Sequence, residues 1–130
     1  MARRLHAWQE QFPNCDVSGL LIAKVDDKAT GFVCFGSPRD QDQQDCGEIY
    51  AIYVLKEYWG RSVGYVLYKN ACAGLREKGF QKAYLWVLDT NHRALTAYRR
   101  WGGIVDHDRM KDHVIGGQPV KELSVLFNFT

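Results

Sequence analysis

Short apolar runs alternate with polar breaks along the chain, and the period of each run predicts its element. Gly19 to Val25 is rich in Leu, Ile and Val and predicts a strand. Asp26-Asp27-Lys28 reads as a turn, and Gly31 to Phe35 as the partner strand of a hairpin. Glu48 to Val54 predicts a third strand. From Gly64 to Lys78 the period changes. Val63, Val66, Leu67, Ala71 and Leu75 fall three and four apart, which predicts one buried helical stripe. Arg61, Lys69, Arg76 and Glu77 lie off that stripe, and Gly79 stands where a helix C-cap wants positive φ.

Lys82 to Leu88 again reads as a strand. Asn91 to Arg100 predicts a second helix, with Asn91 as N-cap and a stripe of Ala94, Ala97, Tyr98 and Trp101 before Gly102-Gly103. Ile104 to Arg109 and Val120 to Phe129 predict two last strands, joined by a turn at Gly116-Gly117. At the N-terminus, Met1 to Gln11 sets Leu5 and Trp8 on one side and predicts a short helix, ended by Pro13-Asn14. Ser37 to Cys46 carries Pro38 and almost nothing apolar, and reads as a loop free to move. The order is helix, three strands, helix, strand, helix, two strands. It predicts an α/β (α+β) chain with a mixed, mostly antiparallel sheet that crosses over through helices in its second half.

Composition narrows this picture. With 130 residues the chain fits a single domain, 1–130, long enough for a core of its own. Four tryptophans, seven tyrosines and six phenylalanines exclude disorder. A net charge of +2, with Lys and Arg scattered, gives no reason to expect nucleic acid as a partner. No apolar run approaches the roughly 20 residues that span a bilayer, so no membrane is expected. Arg3-Arg4 is followed by no apolar core of a secretory signal. Cys15, Cys34, Cys46 and Cys72 form no C-x-x-C pair, and Cys34 and Cys72 sit inside apolar patterns. They read as small core residues with reduced thiols, and the expected location is cytoplasmic.

The sharpest local feature is Trp59-Gly60-Arg61-Ser62-Val63-Gly64, which follows a strand and opens a helix. Glycines there permit close backbone approach, and free amides at the positive end of a helix dipole suit a pyrophosphate. An ordinary strand-to-helix turn that needs glycine is the alternative. The segment is neither a Walker loop nor a Rossmann fingerprint.

Read with its flanks, Glu48-Ile-Tyr-Ala-Ile-Tyr-Val54 followed by Glu57-Tyr58-Trp59-Gly-Arg-Ser-Val-Gly64 resembles the central motif of the GCN5-related N-acetyltransferase (GNAT) family. Leu85 to Asn91, then Ala94, Ala97-Tyr98 and Trp101-Gly102, resembles that family's second motif. The resemblance runs from Gly31 to Gly103. It implies a GNAT-like sheet flanked by helices, acetyl-CoA as co-substrate, no metal, and direct transfer of acetyl to an amine in a ternary complex. A small-molecule primary amine is favoured. A protein or peptide amine, or a non-catalytic acetyl-CoA sensor, is the alternative.

Residue by residue, the resemblance implies that Trp59, Gly60, Arg61, Ser62, Val63, Gly64 and Tyr65 hold the pyrophosphate. Ile52, Tyr53 and Val54 pair with the pantetheine arm, and the amide of Val54 or Leu55 faces the acyl oxygen. Asn91 contacts pantetheine or caps its helix. Tyr98 stands near the sulfur as general acid, or is a member of the helix stripe. An acceptor amine needs a base, and Glu48 at the head of its strand is the candidate, with a solvent-exposed strand-end glutamate as the equal alternative. Tyr50, Tyr53 and Trp86 line the acceptor side or the core. His107 and His113, with Asp106, Asp108 and Asp112, read as a solvated hairpin rather than a metal site.

Three departures stand out. Trp59 replaces the family's Gln or Arg. Ser62 replaces a glycine, which requires negative φ at this position. The N-terminal region is short and lacks the usual first strand, which leaves room for an open cleft or a homodimer partner.

Overall fold

The computed structural model describes residues 2–4 and 17–129. Strands β1 (Ala2–Arg4), β2 (Val17–Val25), β3 (Lys28–Gly36), β4 (Gly47–Val54), β5 (Lys82–Leu88), β6 (Ile104–Ile115) and β7 (Gln118–Asn128) form one sheet. Its spatial order is β1-β2-β3-β4-β5-β7-β6. Among the described residues only β4 and β5 pair in parallel. Helix α1 (Val63–Glu77) makes the crossover between them, and α2 (His92–Arg100) follows β5. The mixed sheet expected from the element order is therefore present.

The N-terminus differs from expectation. Residues 2–4 are extended and pair antiparallel with β2, Ala2 opposite Ala23 and Arg4 opposite Leu21. A three-residue edge strand thus stands where a helix and an absent first strand are expected. Its three residues, Ala-Arg-Arg, carry no periodic signal of their own. The rest of the expected helix lies outside the described residues.

The β2–β3 hairpin turns on Asp26 and Asp27, both at positive φ (50° and 65°), as a two-residue turn between twisted strands demands. The last two strands extend further than expected. β6 runs on to Ile115, with a register shift between Asp106 and Met110 that interrupts its pairing with β7.

Both helices pack on one face of the sheet. Val63, Leu67, Ala71 and Leu75 of α1 are buried as expected, together with Tyr68 and Cys72. Val66 is exposed instead. It lies a helical step of about 100° to one side of Leu67, and Tyr68, the same step to the other side, takes the buried flank. In α2 the buried residues are Leu95 and Tyr98. Ala94 and Trp101 pack partly buried on the core, and Leu95 takes the place a purely small-residue stripe would leave empty. Leu67 and Leu75 are fully buried, each a contribution of about 2 kcal/mol. Cys34, Cys46 and Cys72 are buried free thiols, and burial raises the Cys72 thiol to about 11. Cys15 lies outside the described residues.

Candidate active site

The sheet is split at its centre. β4 pairs with β5 only at Gly47–Ala83 and Glu48–Tyr84. Beyond that point β5 stays paired with β7, and β4 stays paired with β3. The two parallel strands therefore part company from Ile49 onward, where β4 also carries a register shift opposite Cys34 and Phe35.

The alternation of the antiparallel ladder decides which β4 amides face this gap. The Leu55 N–H donates to the Thr30 carbonyl at 2.8 Å, so residues 55 and 53 turn toward β3. Ile52 and Val54 then turn their N–H and C=O groups to the gap. Leu55 and Tyr53 are thereby removed as gap-facing donors, and Val54 keeps that position. The Val54 carbonyl accepts from the Trp59 indole N–H at 3.0 Å.

Just past β4, the turn at Lys56–Tyr58 leads into the loop that opens α1. Gly60 has φ +80°, and a Cβ there would meet nothing within 4 Å. That side of the backbone is open. Val63, Gly64 and Tyr65 form the first helical turn, whose amides have no carbonyl within the helix to bond. Arg61 lies over the Tyr58 ring at 5.2 Å. Loop, dipole and cation together fit the diphosphate of a coenzyme.

Gly64 has a different surrounding. A Cβ at Gly64 would stand 3.4 Å from Trp101 and 3.6 Å from Val54. Its bare backbone lets the head of α1 close on both β4 and the end of α2. Ser62 corrects the expectation of negative φ: it sits at +64°, left-handed, and its side chain caps nothing. A residue other than glycine in this region costs about 1 kcal/mol.

On the helix side, Tyr98 is 8% exposed and packs edge-on to Trp101 (5.5 Å) and Phe127 (6.3 Å). Burial raises its phenol to about 12, so it holds its proton at neutral pH. Tyr65 lies 6.0 Å from Trp101. Asn91 caps α2, its Oδ1 accepting from the Ala94 N–H at 3.2 Å.

On the other face, Glu48 is fully buried, not solvent-exposed. Its Oε1 accepts from the Arg39 N–H at 2.8 Å and lies 3.1 Å from the Tyr84 hydroxyl. Its Oε2 accepts from Arg39 Nη2 at 2.6 Å and Nε at 3.1 Å. Asp40, next in the chain, accepts from Tyr84 (2.7 Å), Trp86 Nε1 (2.9 Å) and Lys111 Nζ (2.7 Å). Burial alone would raise the Asp40 carboxyl, but the bonds from Lys111, Trp86 and Tyr84 and the Lys111 charge outweigh it and lower it to about 2. Burial, then the bond and charge of Asp40 and the charge of Glu48, push the Tyr84 phenol well up. Asp42 pairs with Arg109, and the Tyr50 hydroxyl donates to the Ser37 carbonyl.

The segment from Ser37 to Asp42, expected as a free loop, is bonded to the sheet at Glu48, Tyr84, Trp86, Arg109 and Lys111. Sequence reasoning missed Arg39, Asp40, Tyr84 and Lys111. The partners are up to 71 residues apart, and no local period marks them. Trp86 joins the Glu48–Asp40 cluster through its bond to Asp40, and Tyr53 is exposed near Phe32. His113 pairs with Glu122 at 2.7 Å. Among the described residues no group of three His, Cys, Asp or Glu side chains is placed to hold a metal.

Solved structures described as acetyltransferases share this fold. A putative phosphinothricin N-acetyltransferase superposes with a TM-score of 0.79 at 13% identity, over 100% of this chain and 98% of that one. The putative acetyltransferase yncA from Salmonella typhimurium, solved with its cofactor acetyl-CoA, gives 0.74 at 16% identity, over 95% of this chain and 71% of that one. Residues 2–103 match the model of the acetyltransferase (GNAT) family, and the chain belongs to that family. Mycothiol acetyltransferase of Acidimicrobium ferrooxidans is 32% identical over 111 residues, 85% of this chain but 34% of the relative. The chain spans between 28% and 58% of the length of the curated relatives it matches.

Proposed function

We propose that the chain is an acetyl-CoA-dependent N-acetyltransferase acting on a primary amine, a small molecule rather than a protein, by direct transfer in a ternary complex. The observation that carries this reading is the gap between β4 and β5. It is lined by the N–H groups of Ile52 and Val54 and has the open Gly60 loop at its mouth. Gly60, Arg61, Ser62, Val63, Gly64 and Tyr65 would hold the diphosphate, and Ile52 and Val54 the pantetheine. Bound acetyl-CoA supplies the activated acyl group.

The remaining chemistry falls to side chains and amides of the chain. The Val54 N–H donates to the acyl oxygen where negative charge develops. Tyr98, buried on the helix face and protonated, gives its proton to the departing sulfur. Glu48, on the opposite face of the sheet, takes a proton from the acceptor. Both Glu48 oxygens are engaged, so the acceptor ammonium replaces the Arg39 guanidinium at Oε2, charge for charge. In this reading the acid and the base stand on opposite faces of the sheet.

One observation favours a second reading, a non-catalytic acetyl-CoA sensor: Glu48 is saturated by Arg39 and Tyr84. A panel of polyamines, amino sugars, amino acids and peptides, assayed by release of the CoA thiol, separates the two. Release with a small amine supports the enzyme, and release with peptides alone moves the acceptor class. Binding of acetyl-CoA without release from any amine selects the sensor. A soluble, cytoplasmic, metal-free protein is part of the same proposal; no helix among the described residues is long and apolar enough to cross a membrane.

A further inference from the structure

We propose that Arg93 is a phosphate-binding residue of the coenzyme site, contributed by α2 and presented by the ring of Trp59. This rests on the coenzyme reading above and adds a second cation, from α2. The Arg93 guanidinium carbon lies 3.5 Å from the centroid of the Trp59 ring. Trp59 is itself fixed, because its indole N–H donates to the Val54 carbonyl. The ring therefore cannot turn away without breaking its bond to β4. Trp59 immediately precedes Gly60, so Arg93 is held beside the bend whose far side is open. One stack joins β4, the loop and α2.

The chemistry of the stack points to an anion. A cation over an exposed aromatic face gains little by that contact alone. A guanidinium held over a ring through its carbon keeps its N–H donors in its own plane for other partners. Arg93 is exposed, and among the described residues no acid pairs with it. Trp59 has no donor left for a ligand, since its only side-chain N–H is committed to Val54. A planar fork of unused donors beside an amide-rich bend is suited to bidentate contact with a pyrophosphate.

Calorimetric titration with acetyl-CoA at low and high salt tests the assignment. Arg93→Gln is expected to weaken binding about tenfold at low salt, and to reduce the salt dependence, as loss of one phosphate contact requires. Trp59→Leu is expected to give a similar loss. The double variant is expected to lose little more than either single one, because the ring acts through the guanidinium. Titration with 3′-dephospho-CoA is expected to show the same Arg93→Gln penalty.

Affinity within twofold of the unmodified protein in Arg93→Gln overturns the assignment, as do additive losses in the double variant. A penalty that disappears with 3′-dephospho-CoA moves the contact to the ribose phosphate and overturns the pyrophosphate assignment. Failure of the unmodified protein to bind either nucleotide overturns the coenzyme reading itself, whereas tight binding unaffected by Arg93→Gln overturns Arg93 alone.

Discussion

Single residues decide the chemistry because two of them have surroundings that set their proton states or access. Tyr98 is enclosed by Trp101 and Phe127, and burial raises it to about 12. Tyr98→Phe removes one hydroxyl and leaves the aromatic packing in place. It is expected to lower kcat at least about 100-fold. Acetyl-CoA affinity should change little, and steady-state rates alongside calorimetry check the split. Unchanged kcat would remove Tyr98 as acid. Glu48→Gln is expected to flatten the acidic limb of the pH–rate profile, and an unaltered limb would assign the base elsewhere. That variant also disturbs the buried Arg39 pair, so the profile, not the absolute rate, is the readout.

Asp40 gives a pH test of stability. Its folded value, about 2, lies below the ordinary 3.8, so the folded state binds this proton less readily than the unfolded chain. The stabilisation is complete above about pH 5 and is lost as the pH falls through 4 toward 2. Asp40→Asn is expected to cost about 1 kcal/mol in urea denaturation at pH 7, and the difference should close near pH 2. A difference that persists undiminished at pH 2 would contradict the ionic account.

Among the elements, the loop between β4 and α1 is the most constrained. Gly60 needs its positive φ and the empty space beside it, whereas Ser62 holds a left-handed conformation without glycine's freedom. Ser62→Gly is expected to stabilise the fold by up to about 1 kcal/mol, the strain relieved less the added freedom of the unfolded chain. A measured destabilisation would show that the Ser62 side chain has a role in the native loop. The strap at Ser37–Asp42 was not legible from the sequence. Its anchors are Glu48, Tyr84, Trp86, Arg109 and Lys111, on three strands, and a polar run with Pro38 carries the same signal whether it is pinned or free. The two helices were legible because their buried faces repeat, apart from Val66, which the three-and-four spacing admitted and Tyr68 displaced from the core, and Leu95, which the expected stripe left out.

At the scale of the molecule, the order of elements was legible because strand and helix periods alternate cleanly from β2 onward. The family resemblance implies β4 amides that pair with the pantetheine arm, which a split in the sheet leaves free. Nothing in the spacing of Glu48 to Val54 says that β4 leaves β5 after Glu48; that follows from how α1 and the β5–β7 ladder pack in three dimensions. Tyr98 lies on the helix face and Glu48 on the other, and the split defines which β4 amides are available. Calorimetric titration of acetyl-CoA into the unmodified chain and into Gly60→Val tests this arrangement most directly. Saturable one-to-one binding by the unmodified chain, abolished in a Gly60→Val protein that still melts cooperatively, is the expected result. Equal affinity in the two proteins, or no binding in either, would contradict a coenzyme site at the head of α1.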